Sequence, residues 1–261
     1  MMKNVHRWHA LAAVLAVVLF LSAGCSGKRE KEEDDKKGGE DKKGVADAKL
    51  DFSLTSKQFA EECDRDKAAA KAKYTGKVIE LSGLMTGIGR NIFEDAFLIL
   101  EGGKKSLFGV HCFMAEDQPW LKATPGQTVK VKGTASDFGP PQLVACVITD
   151  VSGPRAPTLT AEELAREYAA GQDATHKKYE EKHLFLSGEI AKVSINKAEV
   201  ALVTFKTTGQ PQVVAKFSPV AKKQTKDLTA GQKIKVLGQY TLRDAPDEVG
   251  LSECTLVEGG K

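Results

Sequence analysis

The sequence predicts a mainly β protein of two tandem domains, each opened by a helix, and three observations carry this reading. The chain repeats itself at a spacing of 105 residues: Leu54-Thr55 returns as Leu159-Thr160, Lys73-Tyr74 as Lys178-Tyr179, and Leu81-Ser82-Gly83 as Leu186-Ser187-Gly188. Across 54–83 and 159–188, 11 of 30 positions are identical without a gap, and Thr124–Gly133 later returns as Thr229–Gly238 in the same register. A period this long marks duplicated domains, since solenoid units repeat every 20–50 residues or so. Within each copy, apolar residues alternate with period two, as in Ile79, Leu81, Gly83, Met85 and Leu184, Leu186, Gly188, Ile190. That alternation marks half-buried strands.

Each element follows from local signals. Thr55 and Thr160 can cap the opening helices, and Glu163 stands three residues after Thr160, as in a capping box. Phe59 with Cys63, and Leu164 with Tyr168, share a helix face at spacing four. Gly83 and Gly188 fall in mid-strand and predict a bulge or bend. Gly87-Ile-Gly89 reads as the turn between the first and second strands. Further strands read near 94–100, 106–114, 128–135 and 142–150, with counterparts near 198–206, 211–218, 233–241 and 249–257. A short helical piece is expected around Asp117–Lys122, and Pro125-Gly126 and Ala230-Gly231 are turns.

Ahead of the repeats lies a segment of a different kind. Lys3 and Arg7 precede an apolar run from Ala10 to Leu21, shorter than the roughly 20 residues a membrane span needs, and small residues lead into Cys25. This is a secretory signal peptide layout, and Leu21-Ser22-Ala23-Gly24-Cys25 resembles the bacterial lipobox. The resemblance implies cleavage before Cys25, lipidation of its thiol and stable anchoring by several acyl chains. Ser26, in place of Asp, would permit outer-membrane delivery by the same resemblance. Residues 28–43 carry seven basic and seven acidic side chains with no aliphatic or aromatic one. Such a stretch cannot bury enough surface to offset its ordering entropy. The expected organisation is a signal peptide at 1–24, a lipidated disordered tether at 25–50, and domains at 51–152 and 158–258. The chain carries a net charge of +3, near +1 once Lys3 and Arg7 are removed, so no basic excess points to nucleic acid.

Five strands with a helical piece between the third and fourth resemble the OB-fold barrel. In particular the chain resembles the tRNA-anti-like OB family of secreted bacterial proteins and lipoproteins. The residues that carry this are the helix ending in Lys-Tyr, the Leu-Ser-Gly strand, the Gly-Gln-x-Val/Ile-Lys-Val strand and a Cys in the last strand. The resemblance covers about 54–151 and 159–257 and implies two tandem five-stranded barrels, each preceded by an α-helix.

Chemistry is sparse. Beyond Cys25 the cysteines are Cys63, Cys112, Cys146 and Cys254, with no Cys-x-x-Cys for thiol exchange. Cys112 shares a phase with Phe108 and Val110 and has Phe217 as its counterpart at 105; Cys146 aligns with Cys254 after a three-residue insertion. If the third and fifth strands pair, Cys112 and Cys146 are neighbours, either as a disulfide or as two buried thiols acting as small apolar fillers. His111, His176 and His183 form no metal-ligand pattern, and His111 and Cys112 face opposite sides of their strand. No nucleotide-binding or nucleophile motif is present. Neither catalysis, metal nor cofactor is expected.

Binding remains. OB barrels bind through strands two and three and the adjoining loops, which here carry Arg90, Asn91, Phe93 and Phe138, with Phe97, Phe108 and Phe113 on the strands. An aromatic with an arginine suits stacking on single-stranded nucleic acid, although most of these phenylalanines read as barrel core. The second copy offers Lys192, Lys197, Arg243 and Asp244 and fewer aromatics. The expected function is a membrane-anchored envelope lipoprotein, facing the periplasm or exterior, that binds or scaffolds an envelope protein or glycan. The alternatives are single-stranded nucleic-acid binding, disfavoured by charge and export, and a purely structural spacer.

Overall fold

Thr55 accepts a hydrogen bond from the Gln58 N–H at 3.1 Å while Gln58 Oε1 accepts from the Thr55 N–H at 3.0 Å. Thr160 and Glu163 do the same at the start of the second repeat. Both copies therefore open on a complete capping box, the first built with glutamine. The computed structural model describes residues 44–104, 109–116, 118–136, 141–242 and 247–259. The signal peptide with Cys25, most of the charged segment, Phe108, Phe138, Arg243 and Asp244 lie outside them.

In chain order the elements are β1 (Phe52–Thr55), α1 (Ser56–Arg65), α2 (Lys67–Tyr74), β2 (Val78–Arg90), β3 (Ala96–Leu100), β4 (Val110–Met114), β5 (Thr128–Ala135) and β6 (Gln142–Ser152). The second repeat follows with β7 (Thr158–Thr160), α3 (Ala161–Ala170), α4 (Gln172–Tyr179), β8 (His183–Ile195), β9 (Ala201–Phe205), β10 (Gln212–Phe217), α5 (Lys222–Thr225), β11 (Lys233–Leu242) and β12 (Glu248–Glu258). A 3-10 turn at Trp120–Lys122 stands between β4 and β5. Strands run in the order β2-β3-β4-β6-β5, and β5 pairs back onto β2. The second set, β8-β9-β10-β12-β11, closes the same way. Each is a closed five-stranded OB-type barrel, and β4 with β6, or β10 with β12, supplies its one parallel pair.

Four predicted features are corrected. A short strand, β1 or β7, lies parallel to the first barrel strand, so each sheet has six strands. The leading helix is two helices, broken at Asp66, whose side chain caps α2 through the Ala69 N–H, and at Gly171. Gly87 and Gly89 are inside β2, opposite Ile99 and Phe97, and the turn falls instead at Asn91–Asp95. Gly83 and Gly188 are not the bulges, which lie further on, between Met85 and Gly87 and between Ile190 and Lys192. Their glycine serves close approach of the helix start. A Cβ on Gly83 would strike the Ser56 hydroxyl, and one on Gly188 would come within 2.8 Å of the Phe205 ring and 3.2 Å of Ala161.

The repeated Lys-Tyr also gains its reason. Glu62 Oε2 accepts from Lys73 Nζ at 2.8 Å and from Tyr74 Oη at 2.7 Å, tying α1 to α2. Glu167 accepts from Lys178 at 2.9 Å and Tyr179 at 3.0 Å. The lysine hydrogen bond, then the tyrosine one, holds the Glu62 carboxyl below its ordinary range. The cores beneath are matched: Leu81, Leu98, Val131 and Leu143 in one, Leu186, Val203, Val236 and Leu251 in the other, all fully buried. In both, a strand glycine makes room for a cysteine, since a Cβ on Gly133 or Gly238 would stand 2.6 Å from the sulfur of Cys146 or Cys254.

Register shows where the 105-residue alignment slips. His111 pairs with Ile99 in the first barrel, and Val214 pairs with Thr204 in the second. The β3–β4 connection is thus two residues shorter in the second copy, and α5 restores the count before β11. Cys112 therefore corresponds to Ala215, and Phe217 to Met114, a correction to the ungapped alignment. Residues expected to tether also begin earlier to pack: Lys132 Nζ donates to the carbonyls of Ala46 and Ala48 at 2.8 and 2.6 Å.

Candidate functional site

Alternation along β4 buries Val110, Cys112 and Met114 and turns His111 and Phe113 outward. On β3, Leu98 and Leu100 go in while Phe97 and Ile99 stay half-buried. Phe97 and Phe113 are opposite one another across the β3–β4 pair, as are Ile99 and His111. The reading of these phenylalanines as core is therefore overturned: aliphatics and the cysteine fill the barrel, and Phe97 and Phe113 form its outer wall.

The three rings make a continuous aromatic surface. Phe97 and His111 stack with centroids 5.7 Å apart and planes 11° from parallel. Phe113 lies 5.9 Å from Phe97 and 6.3 Å from His111, tilted to both. These separations are in the range where aromatic pairs attract beyond simple burial. The glycines of β2 complete the surface. A Cβ on Gly89 would stand 3.2 Å from the Phe97 ring, and one on Gly87 3.2 Å from Ile99. Phe97 and Ile99 thus lean across bare backbone, and no β2 side chain rises at those two positions.

Of the residues predicted for the ligand face, Arg90, Asn91 and Phe93 each have a definite place. Asn91 builds the turn: its Oδ1 accepts from the Phe93 and Asp95 N–H groups at 2.8 and 3.0 Å, and its Nδ2 donates to Asp95 at 2.9 Å. Glu94 takes the left-handed conformation, φ 72°. This fixed turn holds Ile92 and Phe93 out to solvent, 57% and 73% exposed. Arg90 donates to the Glu94 carbonyl at 2.6 Å and lies 4.9 Å from the centroid of the Trp120 ring, a cation–π contact. Phe138 is outside the described residues, so the predicted group is brought together only in part. Sequence reasoning missed His111, Ile99 and the two glycines as one surface. The inward phase of Val110 and Cys112 was the signal that could have found them.

Cys112 and Cys146 face the barrel interior from the paired strands β4 and β6, both fully buried, and neither is in a disulfide. A concavity of about 730 Å³ lies where the barrels meet, lined by Leu84, Met85, Arg155, Glu181, His183 and Gln239. Burial pushes the His183 imidazole down to about 4, so it is neutral at physiological pH. Among the described residues, no group of three His, Cys, Asp or Glu side chains could hold a metal ion, and no helix is long and apolar enough to cross a membrane.

Comparison with solved structures brings up a lipoprotein of Klebsiella pneumoniae subsp. pneumoniae, proposed to bind nucleic acid; it is 14% identical, the match covers 40% of this chain and 92% of that one, and the TM-score is 0.35. No curated protein matches. The profile of the tRNA_anti-like family matches residues 2–148, more than half of the chain and the whole of β1 to β5. Together with its closed OB-type barrels, that match places this chain in the tRNA_anti-like family.

Proposed function

We propose that the chain is a non-catalytic binding module of the bacterial envelope, lipid-anchored through Cys25, whose first barrel holds the sugar rings of a glycan on the Phe97–His111–Phe113 surface. The aromatic surface carries this reading. It stands on the strands and beside the loop through which OB barrels take oligosaccharides and oligonucleotides. Flat ring faces suit either the C–H face of a sugar or a base. Charge favours the sugar. Nucleic acid binding depends on neutralising phosphates with lysine and arginine. Among the described residues, the outward neighbours of the rings are Gly87, Gly89, Ile99 and Gln142, and the Arg90 guanidinium is occupied by Glu94 and Trp120. Glu94 and Asp95 at the adjoining turn add negative charge. The anchor is supported by the Leu-Ser-Ala-Gly-Cys sequence, and the absence of a nucleophile or metal-ligand motif in the sequence supports a binding role.

The test is titration of the chain from Cys25 onward, at about 0.15 M salt, with soluble β-1,4-linked N-acetylhexosamine oligomers and separately with a labelled single-stranded oligonucleotide. Saturable glycan binding that is lost in Phe97→Ala upholds the reading. Submicromolar oligonucleotide binding, lost in the same variant and without glycan binding, would replace it with the nucleic-acid one. The anchor is tested by radiolabelled palmitate: Cys25→Ser should take up none and leave the membrane fraction, and equal labelling of both proteins would remove the lipoprotein reading.

A further inference from the structure

The first barrel carries two thiols where the second carries one. Cys146 and Cys254 are equivalent, each seated against a strand glycine. On the neighbouring strand the barrels differ: β4 offers Cys112, opposite Leu143, and β10 offers Ala215, opposite the equivalent Leu251. Packing against Gly133 accounts for Cys146, as it does for Cys254, but it does not account for Cys112, since an alanine fills that place in an equally buried core. The two thiols face inward from adjacent strands, with Leu143 beside Cys112 and Met114 beside Cys146 in the parallel ladder. A side-chain hydrogen bond links them. Cys146 stands opposite Met114, so Cys112 is its diagonal neighbour across the pair, beside the register shift between the two rungs; closing the bond asks their Cα atoms to settle at about 4.4–6.8 Å.

We propose that Cys112 and Cys146 become a disulfide that locks the third strand of the first barrel to its fifth when the chain folds in an oxidising compartment. This rests on the export reading above, because such bonds persist outside the cytosol. The step is an exchange with a disulfide oxidant. One thiolate attacks it to give a mixed disulfide, and the second displaces the oxidant's remaining sulfur. Two protons leave the protein and two electrons pass to the oxidant, which ends as two thiols. Timing follows from burial. Both sulfurs are inaccessible in the closed barrel, and burial, then the bond to Cys112, raises the Cys146 thiol well above its ordinary value. The folded reduced protein should therefore resist oxidants, and the bond must form while β4 and β6 are coming together. Cys254 lies in the other barrel, and Cys63 packs against this core from α1, outside the β4–β6 pair.

The experiment has two arms on the chain from Cys25 onward. In one, protein is recovered from the membranes of an exporting bacterial host, its thiols are alkylated, and its peptides are mapped without reduction. In the other, denatured reduced protein is refolded with oxidised and reduced glutathione and mapped the same way. The expected result in both is one reducible cross-link, Cys112 to Cys146, with Cys63 and Cys254 alkylated. Oxidised refolded protein should unfold its first barrel about 10 °C above the reduced form, and the second barrel should not move. A link in the refolding arm that is absent from membrane-derived protein upholds the site and counts against export. No link on refolding, or a dominant link through Cys63 or Cys254, overturns the proposal. Comparing oxidised and reduced wild type needs no variant, and Cys112→Ala, which copies the second barrel, should abolish the cross-link and the shift.

Discussion

On the outer wall of the first barrel stand Phe97, Ile99, His111 and Phe113, over bare backbone at Gly87 and Gly89. The same positions in the second barrel are Leu202, Thr204, Val214 and Lys216, beside Lys192 and Ser194. The turns that join the two strands repeat the pattern. Asn196 makes the same side-chain hydrogen bonds to backbone N–H groups as Asn91, at 2.9 and 3.1 Å, and Glu199 matches Glu94 in the left-handed region. Yet one turn presents Ile92 and Phe93, and the other Lys197 and Ala198. The same strand pairing and the same turn form in both copies without exposed rings in the second, so neither the barrel nor the turn requires them. The rings are what distinguishes the copies, which is why the proposed ligand face is placed on the first.

Removing the rings should have the largest effect. Replacing Phe97, His111 and Phe113 together by Ala should lower glycan affinity by about 100-fold or more, since each stacked ring contributes roughly 1–3 kcal/mol in the analogous base-stacking case. Replacing Leu202, Val214 and Lys216 should change affinity by less than about twofold. Calorimetric titration reads both, and equal losses would end the claim that only one face binds. A smaller effect concerns how the helices sit. Gly188→Ala should cost roughly 2–3 kcal/mol by urea unfolding, because its Cβ meets the Phe205 ring in the core. Gly83→Ala should cost less, because it meets a serine hydroxyl that can turn away.

Acid should separate the barrels next. His183 occupies the place of Val78 and is kept neutral, its folded pKa depressed to about 4 from 6.5. Its contribution is complete above pH 6.5 and is lost as pH falls toward 4, where the unfolded chain takes the proton first. The second barrel should thus lose roughly 3 kcal/mol at most across that window, and His183→Val should flatten the slope without touching the first barrel. The smallest effect belongs to the shared clasps. Glu62 and Glu167 have lowered pKa values, first through their lysine partners, so their contribution is present above 4.5 and lost as pH falls through the folded values. Glu62→Gln and Glu167→Gln should remove similar, small amounts, as solvent-screened pairs do. A large asymmetry between them would show that the helix pairs are not equivalent.

Much of the fold was legible because its signals are local or duplicated. Caps, inward rows and the turn glycines at Gly126 and Gly231, both left-handed, each follow from a few adjacent residues. What was missed depends on partners far along the chain. Gly87 and Gly89 look like a turn until Ile99 and Phe97 are seen lying across them. Phe97 and Phe113 look like core because a half-buried outer wall uses the same apolar residues as an interior. β1 and β7 are too short to show alternation. The two-residue slip at β4 falls where the copies share almost no identity, so only strand pairing reveals it. For the site, Arg90 and Phe93 were found by loop position, while His111 needed the phase of its strand.

The way the N-terminal segment joins the first barrel has a mechanical consequence. Lys132 grips the carbonyls of Ala46 and Ala48, and β1 then runs parallel to β2 through four registered residues, Phe52 to Thr55. A pull on residue 44 along the strand direction would first strip the lysine contacts and then slide β1 against β2, loading its rungs together instead of peeling them singly. Rungs that share a force yield at a higher force than rungs that meet it one at a time. A chain pulled at residue 44 would therefore give first at the lysine, extend by a few residues, and keep the barrel behind it closed.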